Sequence, residues 1–339
     1  MFLSLQDCGL KSLGLYLNTN MNYCYKNGNY IVNNIGNRLI KRACRLGEDL
    51  VASFPDSIDL KISNRCSWGC PYCHESSVPG GEIFDFEKTT NILSQLPPLP
   101  IEIAIGGGNV FDSLDETLKL IEWLTDRGNQ TRITVNVKDL DVNSPEKLRI
   151  LEKVGGVGIS LDKLPNTLES DYAGYPSLKR TLFHNIVNED WFIGRYFNAV
   201  VHIIAGIFPT EQLEPLLDNA DLPVLVLGYK QWGRAKNTEL PKDIEEFSHV
   251  IKRQIYKQRL RDYESFSSGQ VIGFDNLALE QLDIKSALTD FEWDKVYMGN
   301  EGSHSMYIDA VKGEFARTSR SEERVSWDSV GLLDYFRSL

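Results

Sequence analysis

Over residues 57–63 apolar and polar side chains alternate, with Ile58, Leu60 and Ile62 on one face and Asp59, Lys61 and Ser63 on the other, the period of a half-buried strand. Five further runs read as strands: Ile101 to Ile105, Arg132 to Val137, Val157 to Leu161, Ala199 to Ile207 and Pro223 to Tyr229. Most are separated by segments long enough for a crossover helix, and parallel pairing requires such a crossover. Two helix starts are written in the chain. Ser113 with Glu116 three residues on reads as a capping box, and Ser144 followed by Pro145 reads as an N-cap with Pro at N1. Six β/α units can curl into part of a barrel or lie open as a doubly wound sheet. In both cases ligands belong at the C-terminal ends of the strands.

The pattern differs on either side of this stretch. Met21 to Tyr25 and Tyr30 to Asn34 carry aromatic and β-branched residues around Lys26-Asn27-Gly28-Asn29, which predicts a β-hairpin. After about residue 236 the alternation stops. An amphipathic helix is predicted from Pro241 to about Arg261, two short strands around Lys312-Gly313 within His304 to Ala316, and a final helix from Trp327. We therefore divide the chain into an N-terminal appendage (1–52), an α/β core (53–236) and a C-terminal α+β subdomain (237–339) that caps it. No internal repeat and no low-complexity tract is evident.

Composition narrows the class. With 339 residues, 42% hydrophobic and 24% charged, the chain has enough apolar material for a sizeable core. Its longest apolar stretches, such as Val224 to Leu227, fall far short of the ~20 residues that cross a bilayer. Met1 to Leu10 lacks the basic start of a secretory signal, so the expected compartment is the cytoplasm, with no membrane partner. The net charge of −11, from 36 basic and 47 acidic residues, disfavours a broad contact with nucleic-acid phosphates. The basic run Lys252, Arg253, Lys257, Arg259 and Arg261 reads as the solvated face of a helix whose apolar side is Phe247, Ile251 and Ile255. In a reducing compartment, clustered cysteines are metal ligands or catalysts before they are disulfides.

Three of the six cysteines are clustered, in Cys66-Ser-Trp-Gly-Cys70-Pro-Tyr-Cys73, directly after the first core strand. A loop this short, turned by Gly69 and Pro71, can aim three thiolates at three corners of one iron–sulfur cube and leave the fourth iron without a protein ligand. A structural zinc held by these cysteines and His74 is the rival, as is a cluster used only for electron transfer. Adjacent Cys73 and His74 converge poorly on one tetrahedral ion, and zinc motifs usually pair two separated knuckles. Cys8, Cys24 and Cys44 lie apart from one another with no comparable spacing.

The spacing, with the aromatic Tyr72 before the last cysteine, resembles the hallmark of the radical S-adenosylmethionine (radical SAM) enzymes. The resemblance implies a partial (β/α)6 barrel, a [4Fe–4S] cluster on Cys66, Cys70 and Cys73, and S-adenosyl-L-methionine as the second cofactor. It also implies reductive cleavage of that cofactor to a 5′-deoxyadenosyl radical, which abstracts hydrogen from a substrate C–H bond. A small electron-donor protein of the flavodoxin or ferredoxin kind would be the partner. Further likeness runs along the strand ends. Gly106-Gly107-Gly108-Asn109 stands where the family has Gly-Gly-Glu, which receives the amino group of the methionine moiety; the Glu is missing here, and Asn109 is a candidate substitute. Asn136 ends the third core strand, and Ser160 and Asp162 follow a Ser-x-Asp pattern placed beside the ribose. Lys138 or Lys163 would face the methionine carboxylate.

Tyr229, Lys230 and Arg234, after the sixth core strand, are candidate substrate contacts. His202, inside the fifth, reads as a hydrogen-bonded core histidine. Met306-Tyr-Ile-Asp309 is similar to a segment of peptide-modifying relatives, so a peptide or protein is the first candidate substrate and a nucleoside or other small metabolite the second. No cysteine follows Cys73, so an auxiliary cluster is not expected. Asp275, Glu301, His304 and Tyr307 are polar residues available to cap the barrel's open side.

Overall fold

Alternation in the core strands becomes a two-faced sheet. The computed structural model of the chain describes residues 23–35, 38–45, 48–140, 144–164, 199–219, 223–237, 243–264, 271–297 and 299–339. Cys8, Met21 and Pro241 lie outside them. The six expected core strands form, numbered here after three N-terminal ones: β4 (Ser57–Ser63), β5 (Glu102–Gly107), β6 (Gln130–Asn136), β7 (Gly156–Ser160), β8 (Ala199–Ile204) and β9 (Val224–Leu227). They pair in parallel and in chain order, as a partial barrel. Ile58, Leu60, Ile62, Ile103, Ile105, Ile133, Ile159, Val201 and Val226 are buried on the outer face. There α1 (Phe86–Leu93), α2 (Leu114–Asp126), α3 (Pro145–Lys153), α4 (Thr210–Asn219) and α5 (Ile244–Glu264) supply the crossovers and cover. The inner face is polar: Asp59, Lys61, Glu102, Arg132, Thr134, Asn136, Ser160 and His202 occupy the alternate positions.

The segment after residue 236 joins the same sheet at both edges. β10 (Ile272–Phe274) adds to β9 in parallel, while β11 (Ser305–Asp309) adds in parallel to β4 and continues through antiparallel β12 (Glu314–Ala316) and β13 (Val325–Ser326). The two strands expected within 304–316 are β11 and β12. The opposite edges approach each other where Asn276, at the start of α6 (Asn276–Gln281), donates to the Gly299 carbonyl at 3.1 Å. α7 (Asp290–Val296) precedes β11. The last helix, α8 (Leu332–Ser338), starts five residues later than expected, because Trp327 is occupied elsewhere. Its N–H donates to the Gly313 carbonyl at 3.0 Å and its indole lies against Gly313.

Two other expectations are corrected. The Ser113–Glu116 capping box does not form. Ser113 closes a 3-10 turn over Val110–Ser113, and its buried hydroxyl makes no cap bond. The Ser144 cap is present, its side chain accepting from Lys147 N–H. In the N-terminal hairpin of β1 (Tyr23–Asn27) and β2 (Tyr30–Ile35) the connection is shortened to Gly28-Asn29. Asn27 stays in the ladder because its buried amide donates to Asp56 at 2.6 Å and to the Phe54 carbonyl at 2.8 Å. A third strand, β3 (Arg38–Ala43), pairs with β2. Asp56 also accepts from Tyr30 at 2.5 Å and pairs with Lys41 at 2.8 Å, which fastens the small sheet to the head of β4.

Four basic residues of α5 are paired locally. Lys252 pairs with Asp283, Arg253 and Lys257 with Glu214, and Arg259 with Glu292. No described helix is long and apolar enough to cross a membrane.

Candidate functional site

The cysteine loop leaves the C-terminal end of β4 and is laced to its neighbours from the first residue. Gly108 N–H donates to the Ser63 carbonyl at 2.6 Å and Asn109 N–H to that of Arg65 at 2.8 Å. This approach requires glycine, since a Cβ on Gly108 would stand 2.0 Å from the Arg65 oxygen. Within the loop, Cys66 N–H reaches the Val78 carbonyl at 2.9 Å and Cys73 N–H that of Cys70 at 3.2 Å. Ser67 N–H donates to Asp112 at 2.8 Å, and the Trp68 indole to Asp139 at 2.6 Å. The sequence gives no local sign of these two acceptors, which lie 45 and 71 residues downstream.

Cys66, Cys70 and Cys73 are free and half-buried. Burial pushes the Cys66 thiol up, and Cys70 and Cys73 are close enough to raise it further by their charge. Tyr72 is shifted up by burial and by the charges of Cys70, Asp162 and Cys73, and its hydroxyl is hydrogen-bonded to the Cys70 thiol. Asp162 pairs with Lys138 at 3.2 Å, and the Lys138 ammonium lies 5.5 Å from the Trp68 ring centre. The structure thus brings together the three cysteines, Tyr72, Trp68, Lys138 and Asp162. Asn136 and Ser160 are register partners on the inner face of β6 and β7, whereas Lys163 is exposed.

The glycine segment divides in two. Gly107 and Gly108 press against β4 and the loop, while a Cβ on Gly106 would meet no atom within 4 Å. Gly106 is therefore the position with room for a ligand. Asn109 is buried and engaged locally, accepting from Phe111 N–H at 3.1 Å and donating to Asp112 at 3.0 Å. In this arrangement it supports the loop through Asp112.

The expected substrate contacts separate as well. Tyr229 is 2% exposed, with its hydroxyl on the Ala235 carbonyl, and so presents no open face to a ligand. Arg234 acts on the cysteine loop. Its Nε donates to the Cys70 carbonyl at 3.0 Å, its Nη1 to that of Ser77 at 2.7 Å, and its backbone N–H to that of Cys73 at 3.0 Å. Gly233 before it has φ +57°, and a Cβ there would come within 2.4 Å of the His74 carbonyl. Lys230 donates to Ser319 at 2.9 Å.

Beyond Cys73 the loop enters a buried ionic cluster. Lys61 pairs with Glu75 at 2.6 Å and with Asp309 at 3.1 Å, Tyr307 donates to Glu75 at 3.3 Å, and His74 Nε2 lies 3.4 Å from Glu75. Burial opposes the Glu75 carboxylate, but His74 and the Lys61 ammonium outweigh it and hold its pKa well below the usual range. Burial likewise opposes charge on Lys61, and Glu75 and Asp309 raise it regardless. His74 is lowered, mainly by burial. A cavity of about 660 Å³ lies beside this cluster, lined by Lys61, Glu75, Trp232, Tyr307, Asp309 and Arg324 among others. His202 faces inward over Gly158, and burial lowers its pKa to about 4, which keeps it neutral.

Residues 60–186 match the family described as the Radical SAM superfamily. The chain contains a Radical SAM superfamily domain. The fold agrees with that of solved radical SAM structures. Streptococcus suis SuiB bound to S-adenosylmethionine aligns at TM-score 0.52 and 15% identity, over 84% of this chain and 66% of that one. SuiB bound to precursor peptide SuiA aligns at TM-score 0.55 and 15% identity, over 84% and 65%. Native anSMEcpe with bound AdoMet and Cp18Cys peptide aligns at 0.50 and 11%, over 83% and 79%. The chain spans just under two thirds of the SuiB chains. No curated protein matches it in sequence.

Proposed function

We propose that the chain is a radical SAM enzyme acting on a C–H bond in a peptide or protein. The observation that carries this reading is the placement of Cys66, Cys70 and Cys73 on one pinned loop at the ligand-facing mouth of a parallel partial barrel. The donor set fits a [4Fe–4S] cluster: three half-buried thiols within electrostatic reach of one another. With S-adenosylmethionine on the open iron, such a cluster supplies one-electron cleavage of a C–S bond and, from it, a hydrogen-abstracting radical.

The chain's own residues hold and orient. Gly106 gives the methionine moiety space against the backbone. Ser160 and Asp162 would meet the ribose hydroxyls and Lys138 the carboxylate. The Lys138–Asp162 pair is exposed and worth at most about 1 kcal/mol, so either member can change partner at little cost. A peptide substrate is supported by the fold neighbours solved with SuiA and with Cp18Cys peptide. The electron would come from a small flavodoxin- or ferredoxin-like protein.

A zinc site drawing on His74 is disfavoured by geometry. His74 Nε2 faces Glu75, and among the described residues no three His, Cys, Asp or Glu side chains are grouped to hold one ion. Ligands of a single zinc lie about 2.3 Å from it, whereas the corners of an iron–sulfur cube are farther apart.

Anaerobic reconstitution tests the proposal. About four irons per chain and release of 5′-deoxyadenosine on reduction are expected, with the cluster absorbance lost in Cys70→Ala and retained in Cys24→Ala. Stoichiometric zinc without deoxyadenosine, or equal losses in both variants, would overturn it.

A further inference from the structure

A guanidinium from the far side of the barrel is laid on the cysteine loop. Arg234, in the segment after β9, donates from Nε to the Cys70 carbonyl at 3.0 Å and from Nη1 to the Ser77 carbonyl at 2.7 Å. Those acceptors flank Cys73 in the chain, and the Arg234 backbone N–H holds the Cys73 carbonyl at 3.0 Å. The third nitrogen, Nη2, is buried and has no acceptor among the described residues. A guanidinium is planar, so Nη2 shares the plane of two nitrogens already bonded to the loop. A buried donor left in that state is costly and calls for a reason. The charge is also unanswered: among the described residues no carboxylate pairs with Arg234. The acidic groups beside the loop are engaged elsewhere, Glu75 with Lys61, Asp139 with Lys147, Asp162 with Lys138, and Asp112 with Ser67 N–H and Asn109.

We infer that Arg234 raises the reduction potential of the cluster held by Cys66, Cys70 and Cys73, through its charge and through Nη2 as a donor to a sulfur; this rests on the function proposed above. One-electron reduction adds a negative charge beside the loop, and a guanidinium stabilises it without changing its own protonation. Net charge and N–H bonds to sulfur are among the main controls on such potentials. The carbonyl bonds hold the guanidinium in place whichever oxidation state is present, so Arg234 is a positioning residue and not a ligand. A role confined to bracing the loop predicts the opposite sign. An opened loop admits water, which favours the reduced form because that form carries one more negative charge, and the potential would rise.

The test is a redox titration of the anaerobically reconstituted full chain without S-adenosylmethionine, with dithionite as reductant and the reduced cluster read by electron paramagnetic resonance. Arg234→Gln keeps a donor for one carbonyl and loses the charge. At a fixed potential its ratio of reduced to oxidised cluster should fall about tenfold, or about 59 mV for one electron. Arg234→Lys keeps the charge and should stay within about threefold of the wild type. Pulsed resonance on wild-type protein isotopically labelled at the guanidino nitrogens of arginine should show a nitrogen coupled to the reduced cluster, and Arg234→Lys should lack it. An unchanged or raised potential in Arg234→Gln, an equal fall in both variants, or no coupled guanidino nitrogen in the wild type would overturn the inference. If Arg234→Gln assembles no cluster, the labelled wild type and Arg234→Lys decide. Deoxyadenosine release by the wild type with S-adenosylmethionine is measured in parallel. Release with an unchanged potential in Arg234→Gln overturns this inference alone. A lowered potential without release overturns the proposed function and leaves this inference standing, and a wild-type chain that holds no cluster removes both.

Discussion

Replacing Arg234 separates a clamp from a surface contact. Its guanidinium makes two charge-assisted bonds, to the carbonyls of Cys70 at 3.0 Å and Ser77 at 2.7 Å, while the adjoining backbone N–H holds Cys73. Bonds of this kind are worth about 1.5–3 kcal/mol each. Arg234 is only half-buried, so the lower end applies and Arg234→Ala should cost the loop about 3 kcal/mol. The backbone bond to Cys73 survives, which confines the loss to local opening. Hydrogen exchange then reads the effect directly. The amides of Cys66, Cys73 and Val78, all internally bonded, should exchange about a hundredfold faster in Arg234→Ala, since 1.4 kcal/mol is a factor of ten. Amides of β5 should be unchanged. Arg234→Lys keeps the charge but can reach one carbonyl at most and should accelerate the loop about tenfold. Loop amides that exchange in Arg234→Ala within threefold of the wild-type rate would refute the clamp.

Two further outcomes follow from the same geometry. Gly108→Ala drives a Cβ to 2.0 Å from the Arg65 oxygen and Gly106→Ala meets nothing within 4 Å, so calorimetry should find the first strongly destabilised and the second melting with the wild type; only the second should then report on cofactor binding alone, and equal melting temperatures would contradict the packing. Lys61→Met leaves Glu75 and Asp309 buried without their cation and should cost about 3–5 kcal/mol at pH 7 in urea unfolding. Because the folded-state pKa of Glu75 is depressed, its contribution is present above the unfolded carboxylate value and lost as pH falls, so the difference between wild type and variant should narrow from pH 7 to pH 3; a constant difference would disprove the pairing.

Strands β4 to β9 were legible because each buries one face under helices and opens the other to the interior, so the alternation is written residue by residue. β3 was missed for the opposite reason: Arg38, Lys41 and Arg42 interrupt its apolar positions, a charge pattern common on strands at sheet edges. β10, with three residues, is too short to show a period, and Ser113 carried the capping signature while its backbone was committed to a 3-10 turn. The same limit applies to the site. The cysteine spacing is local and was readable. Arg234 and Tyr229 belong to one polar and aromatic segment, and only the partners separate them: Ala235 for the Tyr229 hydroxyl, and Cys70 and Ser77, more than 150 residues away, for Arg234.

These long-range partners explain how a short loop with three free thiols can hold its shape. Its entry is tied to β5 by Gly108 and Asn109, and its middle to Asp112 and Asp139 beyond β5 and β6. Its exit is held by Arg234 beyond β9 and by the Glu75–Lys61–Asp309 cluster on β4 and β11. The backbone is thus fixed from strands on both sides of β4. Preorganisation of this kind lowers the entropy lost when ligands close on a bound group. It also links the C-terminal segment to the loop, because Tyr307 and Lys61 meet at Glu75, two residues after Cys73, and Asp309 holds Lys61 from the other side. Removal of β11 would therefore loosen the cysteine loop as well as the sheet edge.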